Sequence, residues 1–202
     1  MVTLNNYISY LNLLLDNLKN DIKDPNLGLE LIIAFYEADS AIYNVVEESD
    51  YRIDDLFSTK AQELFLGYAS QIENKEIIFY SILNTNKSNY HYTNFPLIEF
   101  ATKCLSKELI QQLIKTLSNW IDTSTDFDDK TNYLRAIESL AKQIKDAPLF
   151  EKTKISLNEE ISCYFLYDIA QVYFESGDYE TAYSRLIEVE ARDYSASEYS
   201  TQ

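Results

Sequence analysis

Few side chains in this sequence could do chemistry. There is one histidine, His91, and there are two cysteines, Cys104 and Cys163. A lone histidine acts in catalysis only beside a nucleophile or an orienting acid. The neighbours of His91 are tyrosines, Tyr90 and Tyr92, so these three residues read as an aromatic loop, either a packed connector or a recognition edge. Two thiols and one imidazole cannot complete the four-ligand shell of a structural zinc site. Gly28, Gly67 and Gly177 stand far apart and form no phosphate-cradling loop. The densest acidic stretch, residues 47–55, has neither the alternating oxygens nor the glycine of a calcium loop. It reads as a turn that sets acids near a helix N-terminus. No catalytic residue, metal or cofactor is expected.

What remains is aromatic recognition. The chain has 17 tyrosines, and Tyr164, Tyr167, Tyr173, Tyr179 and Tyr183 crowd its C-terminal part without fitting one buried stripe. Tyr167 and Gln171 share a helix face one turn apart. Tyr164, Tyr167 and Gln171, together with Tyr90, His91 and Tyr92, are the candidate partner-binding residues; core or rim packing is the alternative.

The elements that must carry these residues are helices. Only three Gly and three Pro occur in 202 residues, too few turn residues for an all-β chain. The hydrophobic share, 46%, suffices for one large core or two small ones. Apolar residues recur at helical spacing nearly throughout: Leu4 to Leu18 after a Thr3 cap, Leu27 to Tyr36 opened by Asp24-Pro25, Ile42 to Val46, Ile53 to Ile72, and Ile77 to Leu83. Residues 84–94 read as a polar loop. Asn94 then caps a helix through Ile98 and Leu105, and Ser106 caps the next, Leu109 to Ile121. Residues 123–130 form a linker. Beyond it come a helix from Tyr133 to Ile144, ending before Pro148, and a capping box, Ser156 with Glu159, opening the penultimate helix. The division expected is an N-terminal helical domain, 1–122, and a C-terminal helical-repeat region, 129–202, stacked on it.

Charge narrows the partners. Seventeen basic residues against 33 acidic ones give a net charge of -16. Nucleic-acid binding draws most of its free energy from neutralising phosphates, so this balance argues against nucleic acid as a partner, and against anionic membranes. The acidity serves solubility first; a basic partner would match it. Charges or amides interrupt every apolar run, so no membrane span is expected. The start of the chain lacks a signal-peptide pattern. Both cysteines sit among apolar residues and read as buried free thiols, which points to a reducing, cytoplasmic setting.

Residues 166–182 resemble a tetratricopeptide repeat. Leu166, Ala170 and Tyr173 take the large, small and aromatic places of its first helix. Gly177 ends that helix, Asp178 caps the second, and Ala182 and Leu186 are the small and large contacts there. The usual leading Trp is Leu166, and the closing Pro is absent. No second copy lies roughly 34 residues upstream, where Pro148 would fall inside a helix. A single repeat cannot bury its own faces, so it must stack on preceding helices.

Residues 28–121 resemble a family of bacterial all-helical proteins of unknown function. The match runs through Leu29-Glu30-Leu31-Ile32 and Phe35, then Val45-Val46-Glu47-Glu48-Ser49-Asp50, then Ile53, Leu56-Phe57 and Ala61. It departs at Tyr51, where that family favours Gly, and at His91, where a small residue is usual. The resemblance implies an all-α helical array, an α-solenoid with a C-terminal hairpin, and carries no activity. The expected function is a non-enzymatic scaffold or adaptor that binds an unidentified protein or peptide. The alternative is an accessory domain of a larger protein whose chemistry lies outside this chain. Oligomeric state is not readable from the sequence.

Overall fold

The computed structural model describes residues 4–44, 51–86, 95–158 and 160–199, apart from the side chains of residues 95, 96 and 191–199. All secondary structure among them is helical. The chain forms two compact units, Met1–Leu109 and Ile110–Gln202.

The first unit opens with α1 (Leu4–Asp21), α2 (Pro25–Glu37) and the short α3 (Asp39–Tyr43). Asp24 caps α2 as its sequence position predicts: its carboxylate accepts the Asn26 N–H at 2.9 Å, with Pro25 in the first turn. Thr3, the expected cap of α1, lies outside the described residues. Next, α4 (Tyr51–Asp55), a π-helical segment (Leu56–Ala61) and α5 (Gln62–Gln71) run on as one helix. The widened π turn disturbs the regular backbone ladder, and the Tyr36 hydroxyl donates to the Phe57 carbonyl there at 2.8 Å. Phe35, Tyr36 and Tyr43 surround the Phe57 ring at 4.8, 5.4 and 6.4 Å. Lys60 reaches back from the π segment to Asp16 on α1 at 2.9 Å.

Helix α6 (Lys75–Thr85) is capped by Asn74, and α2 packs on both α5 and α6. The single helix expected through Ile98 and Leu105 is broken. It consists of α7 (Phe95–Glu99) and a 3-10 turn (Ala101–Lys103), because Phe100 leaves the helical region at φ -118, ψ 19. Ser106 does cap α8 (Lys107–Thr123), accepting the Leu109 N–H at 3.4 Å.

In the second unit the structure corrects three expectations. The stretch between α8 and α9 shrinks to residues 124–126, because Asp126 accepts the Asp128 and Asp129 N–H groups and starts α9 (Phe127–Gln143) at once. A further helix, α10 (Ala147–Leu157), occupies the stretch between Pro148 and Ser156, to which no element is assigned from sequence. Pro148 lies in its first turn, where a missing N–H costs nothing, and Asp146 accepts the Leu149 N–H at 3.2 Å. Ser156 is therefore interior to α10, its hydroxyl bonded to the Lys152 carbonyl, and is no cap. The cap of α11 (Cys163–Ser176) is Ser162, which accepts the Phe165 N–H at 3.3 Å; Glu159 lies outside the described residues.

Helices α9 and α10 pack as one hairpin, α11 and α12 (Tyr179–Tyr199) as a second, and α10 packs on α11. Ala141, Ala147, Phe150, Ile169, Val172, Tyr173 and Ala182 form the buried core that joins them. The two hairpin turns have one geometry. In the first, the Lys145 N–H bonds to the Lys142 carbonyl and the Asp146 N–H to Ala141; in the second, Gly177 bonds to Phe174 and Asp178 to Tyr173. Lys145 and Gly177 both have left-handed backbones, which is the Schellman arrangement. Asp146 and Asp178 each then cap the next helix through the N–H three residues on. The repeat interval is 32 residues.

Candidate functional site

The hairpin of α11 and α12 buries one face and opens the other. Leu166, Ile169, Val172 and Tyr173 are buried, while Tyr167, Gln171 and Phe174, at i, i+4 and i+7, lie on the opposite stripe of the same helix. On α12, Tyr179, Tyr183 and Leu186 point the same way, and the two stripes line a groove of about 450 Å³. Its floor is Ala170 and Ala182, both buried. Small side chains at these positions let the two helices approach closely.

The groove's aromatics are exposed: Tyr167 by 58%, Phe174 by 63% and Tyr183 by 68%. These values decide their role, because core aromatics of this size would be nearly dry. The Phe174 and Tyr179 rings meet edge to face at 5.2 Å across the turn. Gln171 donates to Glu175 at 3.0 Å. The lining is mainly apolar with a few polar groups, the usual make-up of a recognition surface.

Partly buried polar contacts behind the groove tie α9, α10, α11 and α12 together. Lys154 on α10 bridges Glu138 on α9 at 2.9 Å and Asp168 on α11 at 2.6 Å, and Lys142 adds a bond to Asp168 at 2.7 Å. The ammonium group of Lys154 also lies 5.1 Å from the Phe150 and Phe165 ring centres. Burial opposes the charge on Asp168, but hydrogen bonds from Lys142 and Lys154 outweigh it and hold the carboxyl below its ordinary range. Burial likewise opposes the charge on Lys154, and its two carboxylates reverse the effect, raising its pKa. Glu151 forms a second link. It accepts the Tyr173 hydroxyl at 2.7 Å and pairs with Arg185 of α12 at 2.8 Å. Burial, then the Glu151 contact, pushes the Tyr173 hydroxyl up to about 12.

Of the residues singled out by sequence, Tyr167 and Gln171 meet in this groove. Tyr164 is exposed, with its ring 6.0 Å from Phe165, and is not part of the lining. Tyr90, His91 and Tyr92 lie outside the described residues, as do residues 47–50 of the acidic turn. The rest of that turn is helical, and Asp54 accepts the Tyr43 hydroxyl. Sequence reasoning passed over Phe174, although its place seven residues after Tyr167 puts it on the same face. It also took Leu186 as a packing contact, whereas Leu186 lines the groove and is 40% exposed.

Other chemistry is sparse. Neither cysteine is in a disulfide; Cys104 is buried as expected, but Cys163, at the start of α11, is only partly buried, and burial pushes the Cys104 thiol up to about 11, away from the reactive thiolate. Among the described residues no group of three or more His, Cys, Asp or Glu side chains could hold a metal ion. None of the described helices is long and apolar enough to cross a membrane. No protein-family model, curated protein or solved structure matches the chain.

Proposed function

We propose that the chain is a non-enzymatic helical adaptor that binds another protein through the groove between α11 and α12. The observation that carries this reading is the exposed aromatic stripe on a closely packed hairpin. Contiguous exposed apolar surface of this kind marks interaction sites, and Tyr and Phe are enriched at the centres of interfaces. Two consecutive hairpins with one turn geometry support a tetratricopeptide-like repeat, in which inner helices present a binding face. Resemblance to the helical family of unknown function rests on the residues already named between Leu29 and Ala61. Cys104 and Cys163, neither of them in a disulfide, fit a reducing, cytoplasmic setting.

Site-specific photocrosslinking in native extract tests the groove. With p-benzoylphenylalanine replacing Tyr183, irradiation should give a discrete adduct. The same group replacing Tyr80, which is 54% exposed on α6, should not. Identical adduct patterns from the two positions would remove the groove from the account.

A further inference from the structure

The two hairpins offer an internal template for what fills the groove. Shifted by the 32-residue interval that relates their turns, Ala147, Phe150, Glu151 and Lys154 of α10 correspond to Tyr179, Ala182, Tyr183 and Leu186 of α12. The α10 set is the face that meets α11. Ala147 and Phe150 join its Ile169, Val172 and Tyr173 in the core, Glu151 accepts the Tyr173 hydroxyl, and Lys154 pairs with Asp168. The α12 set lines the open groove. The face that α10 closes with a helix is therefore open on α12, and its i, i+3, i+4, i+7 spacing is that of a helix-packing stripe.

Charge selects the kind of helix. From residue 163 to residue 190 there are six acidic residues and one basic residue, Arg185, which Glu151 and Glu188 already engage. Glu175 lies one turn beyond Gln171, and Glu190 one turn beyond Leu186, so both continue the lining stripes; Glu175, Glu180 and Glu190 are all exposed. A second copy of the chain, itself at -16, would set acid against acid there. Resting on the groove reading above, we infer that the occupant is a basic amphipathic helix of a partner protein. Its apolar stripe seats on Tyr167, Phe174, Tyr183 and Leu186, and its lysines or arginines face the glutamates.

Three fluorescent helical peptides of about 18 residues, five turns, test this on the full chain by anisotropy. All share one Leu/Phe stripe, and the remaining positions are Lys, Gln or Glu. The Lys peptide should bind at least ~10-fold more tightly than the Glu peptide and weaken as salt rises. Tyr183→Ser should weaken it by ~10-fold or more, and Tyr80→Ser should leave it unchanged. Replacing Glu175, Glu180 and Glu190 by Gln should weaken the Lys peptide and spare the Gln peptide. If the Glu or Gln peptide binds as tightly and still depends on Tyr183, the groove reading stands and the basic partner is overturned. If the Lys peptide binds Tyr183→Ser as well as the parent, or no peptide binds, both fail. Concentration-dependent dimerisation abolished by Tyr183→Ser would make the occupant a second copy and also overturn the inference.

Discussion

Lys145 and Gly177 hold the same place in successive hairpin turns, with left-handed φ values of 59° and 92°. A non-glycine residue there carries a backbone cost of about 1–2 kcal/mol. No atom lies within 4 Å of where a Cβ would stand on Gly177, so strain, without a clash, sets the cost of Gly177→Ala at about 1 kcal/mol. Lys145→Gly should stabilise the second unit by roughly 0.5 kcal/mol, the relief being partly offset by a more flexible unfolded chain. Urea denaturation of both variants beside the parent checks the pair. A neutral Gly177→Ala would mean that the second turn is not left-handed in solution.

A different close approach fixes the first unit. A Cβ on Gly28 would overlap the Tyr68 ring, and the Tyr68 hydroxyl is held by the Leu18 carbonyl at 2.6 Å. Gly28→Ala should therefore destabilise by about 1–3 kcal/mol through overpacking. Combined with Tyr68→Leu, it should cost less than the sum of the single changes, since the clash has lost its partner. Additive costs in a double-mutant cycle would show that Gly28 and Tyr68 do not touch.

The Lys154 network gives a pH signature. The Asp168 carboxyl lies below its unfolded value, so its stabilisation is complete above about pH 4 and is lost as pH falls through the folded value. The Lys154 pKa is raised, so its stabilisation is complete below about pH 10 and is lost as pH rises further. Lys154→Met leaves Glu138 and Asp168 partly buried with one cation fewer, and should cost about 3 kcal/mol at neutral pH. The variant's deficit should narrow at pH 3. Thermal melts across pH 3–7 read this directly; a deficit that does not change with pH would assign the loss to packing around Phe150.

Ala182 is buried in the shared core. Ala182→Glu adds volume and an unpaired carboxylate, each costing roughly 1–3 kcal/mol. Limited proteolysis should cut first within α11 and α12 and leave a resistant fragment from the first unit, because contacts in stacked helices are mainly between neighbours. Unchanged cleavage would place Ala182 on the surface.

Capping chemistry made much of the fold legible. Asp24, Ser106, Gly177 and Asp178 act as their types dictate, because a cap is a local contest between a side chain and a few backbone groups. Ser156 misled for the same reason in reverse. Serine with glutamate three residues on is a valid box in isolation, but the helix opened by Asp146 was already running through it. Pro148 read as a stop, although Pro in a first turn starts a helix. The upstream hairpin stayed hidden because its left-handed turn residue is Lys145, which no propensity rule favours, and because its interval is 32 residues and not the usual figure. The π segment at Phe57 has no sequence mark at all, and the Tyr36 hydroxyl that bonds to its Phe57 carbonyl comes from another helix. The groove was half visible: Tyr167 and Gln171 follow from helical spacing, whereas the α12 wall depends on the angle at which two helices meet.

The central claim is that the α11–α12 groove is the binding face. Amide and side-chain NMR shifts of the full chain, titrated with the Lys-rich amphipathic peptide, test it most directly. The account predicts that the largest shifts and line broadening fall on Tyr167, Gln171, Phe174, Tyr179, Tyr183 and Leu186, with the buried Ile169 and Val172 little changed. Shifts scattered over acidic surface in both units, or centred away from this stripe, would contradict it.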